Sequence, residues 1–137
     1  MSNWTYVAGI IRIDYIKYEY KSILDFDKLF GRDCDCFHEI FEAHEHPELY
    51  LPVGSEGSLK KSIWVSYPND SHVARYAVSI FGDLCDYSCD KIIGWFKNKC
   101  KLIDSDNVPG GSIIQATITV SNECGGAKSY TYKKEEE

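Results

Sequence analysis

The chain has 137 residues, of which 44% are hydrophobic and 14% aromatic, and its formal net charge is −6. This length supports a hydrophobic core, and the apolar fraction excludes an intrinsically disordered protein. The acidic balance argues against direct binding of nucleic acid, which needs a basic face. No apolar run reaches the roughly 18 residues of a membrane-spanning helix, so no membrane association is expected.

The N-terminus and the cysteines predict a reducing compartment. The first residues, MSNWTYVAGIIRID, lack the basic region, apolar segment and cleavage site of a signal peptide. Six cysteines, an even number, would suit disulfides in a small secreted protein. Because no export signal is visible and the apolar content suffices for a core, we expect free thiols and a cytoplasmic protein.

The first part of the chain predicts one strand and two helices. Trp4–Ile16 alternates as a strand does, and Gly9 marks a bulge or a close approach of another backbone. Ser22–Phe30 places apolar residues at spacings of three and four after a capping residue, either Ser22 or Asp25. A second short helix is predicted by the helical spacing of Phe37, Ile40, Phe41 and His44.

A β-hairpin is predicted in the middle of the chain. Leu59–Tyr67 and Val73–Phe81 alternate around the turn-forming residues Pro68–Ser71. The second strand is apolar at most positions on both faces, which is typical of a central strand covered by helices on one side. The chain then predicts a helix at Cys89–Lys101, capped by Ser88 or Asp90, and strands at Ile113–Val120 and Ala127–Tyr132.

This order of elements predicts an α+β fold. Strand, helix, strand, strand, helix, strand is the ferredoxin-like β-α-β-β-α-β sandwich, an antiparallel sheet of strand order 4-1-3-2 with two helices on one face. The last strand would extend one edge. We expect a single domain over residues 1–132, with an acidic insertion or loop at 32–56 and a charged tail at 133–137. The other face of the sheet would be open, and Trp64, Arg75, Tyr76 and the N-terminal tyrosines are candidates to line whichever face or edge is exposed.

Acidic residues are concentrated between Asp25 and Glu56. This segment has nine acidic residues against Lys28 and Arg32, a net charge of about −7. One interpretation is a surface that imitates the phosphates of nucleic acid and occupies a basic groove of a protein partner. The other is an ordinary solvated loop. The candidate partner-binding residues are Glu39, Glu42, Glu45, Glu48, Trp64 and Tyr76.

The same segment contains candidate ligands for a metal ion. The thiols and imidazoles are those of Cys34, Cys36, His38, His44 and His46. Zinc takes four such ligands in a tetrahedral arrangement. Their spacing does not match a finger, ribbon or knuckle, and an acidic loop with incidental thiols and histidines is the simpler interpretation. A zinc-binding or small-ligand module, with the small ligand on the open face of the sheet, is therefore the alternative function.

Catalytic motifs are missing from the sequence. It contains no G-x-S-x-G, no H-E-x-x-H and no Walker motif, so we expect a protein that is not an enzyme. Cys85 and Cys89 flank the start of a predicted helix, but free cysteines are typically buried as small apolar residues. Exposed sheet edges are compatible with a homodimer.

Two stretches resemble segments of a known group of proteins. LPVGSEGSLKKSIWVSYPN (Leu51–Asn69) and YAVSIFGDLCDYSCDKIIGWF (Tyr76–Phe96) are similar to segments in small uncharacterised proteins of Gram-positive bacteria, their phages and mobile elements. The resemblance covers the middle third of the chain and implies no particular activity. It implies a small acidic binder, in the host cytoplasm if a phage encodes it, of the kind that includes anti-CRISPR inhibitors of host defence. In that group an arginine often stands where this chain has Cys85, so any contact of that arginine would be missing here.

Together these observations predict a non-enzymatic protein-interaction module. The expected partner is a basic protein that handles nucleic acid. The expected mechanism is occlusion, in which carboxylates compete with phosphates and aromatic side chains anchor the complex.

Overall fold

The structure, a computed structural model, describes residues 3–16, 24–66, 73–104 and 110–133. The strands are β1 (Trp4–Ile16), β2 (Leu59–Ser66), β3 (Val73–Cys85), β4 (Gly111–Asn122) and β5 (Gly126–Thr131). The helices are α1 (Phe26–Phe30), α2 (Phe37–Glu45) and α3 (Cys89–Asp104), and a 3₁₀ helix spans Pro47–Leu49. The predicted turn at 68–71, the capping candidate Ser22 and residues 134–137 of the predicted tail lie outside the described residues. Within the described residues, no helix is both long enough and apolar enough to cross a membrane.

The five strands form one antiparallel sheet in the order β2-β3-β1-β4-β5. The predicted α+β class is therefore confirmed. β1 lies at the centre, and a β-bulge interrupts its pairing with β4 after Arg12. A Cβ atom at Gly9 would lie 3.1 Å from the Ile118 side chain, so this glycine permits a close approach within the sheet. β3 is longer than predicted because its last residues, up to Cys85, pair with the start of β1.

One face of the sheet carries the main core. Side chains alternate between faces along a strand, and on β1 those of Val7, Ile11 and Ile13 are buried. α1 and α3 both pack on this face: the ring of Phe26 meets Tyr76 edge-on at 4.9 Å, and Phe96 meets Tyr130 at 6.3 Å. Burial of each large apolar side chain stabilises the fold by about 1.5–3 kcal/mol, so this face fixes the positions of both helices.

The other face of the sheet is open. The exposed aromatic side chains on it are those of Tyr6, Trp64 and Phe81. Trp64 pairs with Ala77 across β2 and β3, so the neighbouring Tyr76 must point to the opposite face. Tyr76 is only 5% exposed. Trp64 is thus exposed as expected, whereas the expectation that Tyr76 lines an exposed face or edge is wrong, because its side chain is buried.

A buried lysine ties the acidic segment to the sheet. Lys61 lies on the covered face of β2, and its ammonium contacts the carboxylates of Asp27 at 2.5 Å and Asp33 at 3.2 Å. It also donates to the carbonyl of Gly31 at 3.0 Å. α1 begins where Asp25 accepts a hydrogen bond from the backbone of Lys28, as a helix cap does. The segment that the sequence suggested to be an acidic loop is therefore anchored at α1.

Candidate functional site

Helix α2 packs with its smaller apolar residues towards the fold and its two phenylalanines towards solvent. Its inward residues Ile40 and Ala43 pack with Cys34 and Tyr50 in a small cluster beside the main core. Phe37 and Phe41 point the other way and are 73% and 58% exposed. Their rings contact each other edge-to-face, with centroids 5.1 Å apart. The predicted helix is confirmed, but the aromatic residues that predicted it lie on its solvent side.

The inward side of α2 is held by a polar network around Tyr50. The Arg32 guanidinium donates to the Tyr50 hydroxyl at 2.7 Å, and this hydroxyl donates to the Glu42 carboxylate at 2.9 Å. The guanidinium also lies over the Tyr50 ring, 4.7 Å from its centroid. Burial, followed by the hydrogen bond to Glu42, raises the pKa of Tyr50. Glu42 therefore has a structural role, which was not expected from the sequence.

The remaining carboxylates divide into bound and outward groups. From residue 33 to residue 49 there is no lysine or arginine, and the acidic residues are Asp33, Asp35, Glu39, Glu42, Glu45 and Glu48. Glu39 accepts from the backbone of Asp35 at 3.1 Å and from the Cys36 thiol at 3.6 Å. Glu45 and Glu48 are exposed. Among the described residues Glu48 pairs only with His46, at 3.6 Å.

We call Phe37, Phe41, Glu45, Glu48 and Leu49 the α2 surface. Phe37, Phe41 and Glu45 follow one another at a spacing of four residues, so they lie along one side of the helix. Leu49, in the adjacent 3₁₀ helix, is 46% exposed. The α2 surface thus combines large apolar side chains with exposed carboxylates, of which Glu48 pairs with the exposed His46. Such a combination is typical of an interaction surface.

The predicted metal ligands do not come together. In the described part of the chain, no group of three or more histidine, cysteine, aspartate or glutamate side chains is placed to hold a metal ion. Cys34 is buried and its thiol donates to the Glu39 carbonyl at 3.8 Å. Burial, followed by the nearby Glu39 carboxylate, raises the pKa of Cys34 and so disfavours the thiolate that zinc needs. Cys36, His38, His44 and His46 are exposed.

The sequence contains a signal for the orientation of α2 in the sizes and charges of its residues. Ile40 and Ala43, three residues apart, are apolar and of small or moderate size, and they pack beneath Tyr50. Phe37, Phe41 and Glu45 follow one another at a spacing of four residues, and glutamate rarely lies in a core. The glutamate at the end of the aromatic row indicates that this row faces solvent.

Comparisons with known proteins do not assign this chain to a family. No protein-family model matches it, and no curated protein and no solved structure is significantly similar to it. The interpretation of the α2 surface therefore depends on the contacts and charges described above.

Proposed function

We propose that this protein is a non-enzymatic binding module that docks on a protein partner through the α2 surface. The observation that carries the proposal is the exposure of Phe37 and Phe41, which touch each other while the fold packs on the opposite side of their helix. Two adjacent exposed rings cost solvation free energy in the unbound protein. A partner that buries them recovers this free energy, and aromatic side chains are frequent hot spots of binding.

The charge of the segment supports a basic partner. Residues 33–49 have no lysine or arginine, Glu45 follows Phe41 at helical spacing, and Glu48 is exposed in the adjacent 3₁₀ helix. Negative potential speeds association with a positive surface, and the apolar anchors lower the dissociation rate. A protein that handles nucleic acid presents such a positive surface. Binding of the α2 surface there would exclude phosphates, which is inhibition by occlusion.

Trp64 provides a second aromatic part of the proposed surface. Lys60, on the open face of β2, pairs with Asp35 at 3.6 Å and so joins this face to the start of α2. Trp64 lies on the same face four residues further on, about 13 Å along the strand. It is 58% exposed, and it offers another aromatic anchor.

The fold that presents this surface is, in our proposal, ferredoxin-like with an extra edge strand. The order β2-β3-β1-β4, antiparallel throughout, supports this assignment, and β5 adds to the outer edge of β4. The packing of α1 and α3 on one face supports it as well. In such a fold the segment between α1 and β2 is where α2 is inserted.

We extend the proposal to an inhibitor of a host defence system, encoded by a phage or mobile element and acting in the host cytoplasm in the manner of anti-CRISPR proteins. Its support is the resemblance of Leu51–Asn69 and Tyr76–Phe96 to small proteins of that origin. The occlusion mechanism requires no catalytic group. It requires a partner whose basic surface is essential for its activity.

The proposal is tested by affinity capture from a Gram-positive bacterial lysate with three forms of the protein. The first is wild type, the second carries Phe37→Ser and Phe41→Ser, and the control carries Ile16→Ser and Ile114→Ser. The control side chains are 61% and 54% exposed and lie at strand positions away from α2. The proposal predicts a basic protein that wild type and control retain and the phenylalanine variant loses. Equal retention by all three forms would exclude the α2 surface as the binding site.

A further inference from the structure

A cleft of about 220 Å³ lies between the segment around α2 and the start of α3. About half of its lining surface is apolar, and the side chains of Ala43, Pro47, Leu51, Val53 and Tyr87 contribute to it. Ala43 and Leu51 are each 1% exposed, so they belong to the fixed part of the fold. Small-molecule sites generally combine apolar wall surface with a few polar groups that orient the ligand.

Two nitrogen-containing side chains line this cleft. Lys91 and His44 line it, and no carboxylate does so among the described residues, although the protein is acidic overall. The Lys91 ammonium lies over the Tyr87 ring, 4.6 Å from its centroid. A ring face attracts the positive charge without taking up its N–H donors as a carboxylate would. Lys91 forms no ion pair with any described residue.

The size of the cleft limits its ligand. An apolar cavity of about 150 Å³ accommodates one benzene molecule. The larger volume here leaves room for a six-membered ring and one small charged substituent. An anionic substituent is the complement of Lys91, and an apolar ring is the complement of the walls.

We propose that this cleft is a binding site for a small organic monocarboxylate of about the size of benzoate. The ring contacts the apolar walls, and the carboxylate pairs with the Lys91 ammonium, with the His44 imidazole as a second nitrogen partner. This site does not depend on the proposed function, because neither Phe37 nor Phe41 lines the cleft. It also lies away from the open face of the sheet, where the sequence suggested a small ligand.

The test is a titration of the ¹⁵N-labelled full chain, followed by amide chemical shifts, with three probes that share a ring. The probes are benzoate, the neutral benzamide and the cationic benzylammonium, each up to about 10 mM. The proposal predicts saturable shifts with benzoate at Ala43, His44, Val53 and Lys91. It predicts at least about tenfold weaker binding of the other two probes, because a charge-assisted hydrogen bond is lost. No saturation with benzoate, or equal binding of benzamide, would overturn it.

A matched pair of variants tests whether Lys91 supplies the positive charge that binds benzoate. Lys91→Met removes the ammonium and keeps the length of the side chain, whereas Lys97→Met makes the same change at an exposed position of α3 outside the cleft. Benzoate affinity should fall about tenfold in the first variant and stay unchanged in the second. Both substitutions are on exposed side chains, so both variants should fold. Equal affinities in the two variants would overturn the assignment of Lys91.

Discussion

Two neighbouring lysines of β2, Lys60 and Lys61, lie on opposite faces of the sheet and differ in burial and in their partners. Lys61 has a side chain that is 7% exposed and three acceptors around it, whereas the Lys60 side chain is 50% exposed and, among the described residues, pairs with Asp35 alone. We predict that Lys61→Met lowers the free energy of unfolding by about 1–3 kcal/mol, because it leaves Asp33 and the Gly31 carbonyl without their partner. Lys60→Met should change it by less than about 0.5 kcal/mol. Urea unfolding measures both, and equal effects would contradict the buried network.

Burial of ionisable side chains predicts a loss of stability at alkaline pH. Burial, followed by the nearby Asp104, raises the pKa of the Cys100 thiol from 9.0 to about 12. The neutral thiol is favoured in the folded state, so its contribution to stability is complete below pH 9 and is lost as pH rises towards 12. Tyr132 acts in the same direction, because burial and then Asp104 raise its pKa to about 12. Melting temperatures measured from pH 8 upwards should therefore fall.

A pair of cysteine variants separates this effect from other alkaline effects. Cys100→Ala should reduce the dependence of the melting temperature on pH, whereas Cys124→Ala, at an exposed position, should leave it unchanged. Burial lowers the pKa of Lys99, which acts in the opposite direction, but both variants share that group. Parallel pH profiles for the two variants would contradict the assignment to Cys100.

At the scale of the element, helix α2 should tolerate the loss of its largest apolar residues. Phe37→Ser together with Phe41→Ser should lower the free energy of unfolding by less than about 1 kcal/mol. Both rings face solvent, so the substitutions remove mainly the contact between the two rings. Phe96→Ala in α3, where the ring is fully buried, should cost about 3–5 kcal/mol. Chemical denaturation of the two variants makes the comparison. A large loss in the α2 variant would show that these phenylalanines are structural.

Charge reversal should affect partner binding when it is made at the outward carboxylates of the α2 surface. Glu45→Lys with Glu48→Lys should weaken binding to a basic partner by about tenfold or more at low salt and reduce its dependence on salt. The control is Glu56→Lys with Asp83→Lys, which changes the net charge equally at exposed positions outside the α2 surface. Glu42 is left intact because it supports Tyr50. Equal weakening by the two variants would indicate net charge, and not the α2 surface, as the cause.

Element boundaries were largely predictable from the sequence, because alternation and capping are local properties. β1 has the predicted bounds, and Asp25 and Ser88 cap their helices as expected. The faces of the elements were less predictable. β3 is apolar at its odd and its even positions, so its own pattern does not indicate which face receives the helices. Tyr76 was a candidate for an exposed face or edge, but its side chain is buried. Lys61 sits between the apolar residues of the covered face of β2, where alternation alone predicts a buried neutral side chain.

At the scale of the whole molecule, the sheet separates two kinds of surface. Its covered face carries the helices and the core, and its open face carries Trp64 and Phe81 among polar residues. The acidic segment was identified from its composition. Its division into structural carboxylates, such as Glu42, and outward ones, such as Glu45, depends on tertiary contacts with Arg32 and Tyr50 that no local pattern contains.

The proposed function requires that the α2 surface binds a basic protein. The most direct measurement is a calorimetric titration of the purified captured partner with wild type, with Phe37→Ser/Phe41→Ser and with Ile16→Ser/Ile114→Ser. Loss of two central aromatic anchors should raise Kd by a factor of about 30 or more, since each anchor of this kind contributes more than about 1 kcal/mol, while the control should match wild type. Equal Kd values for all three proteins would contradict the account and place the interface elsewhere on the molecule.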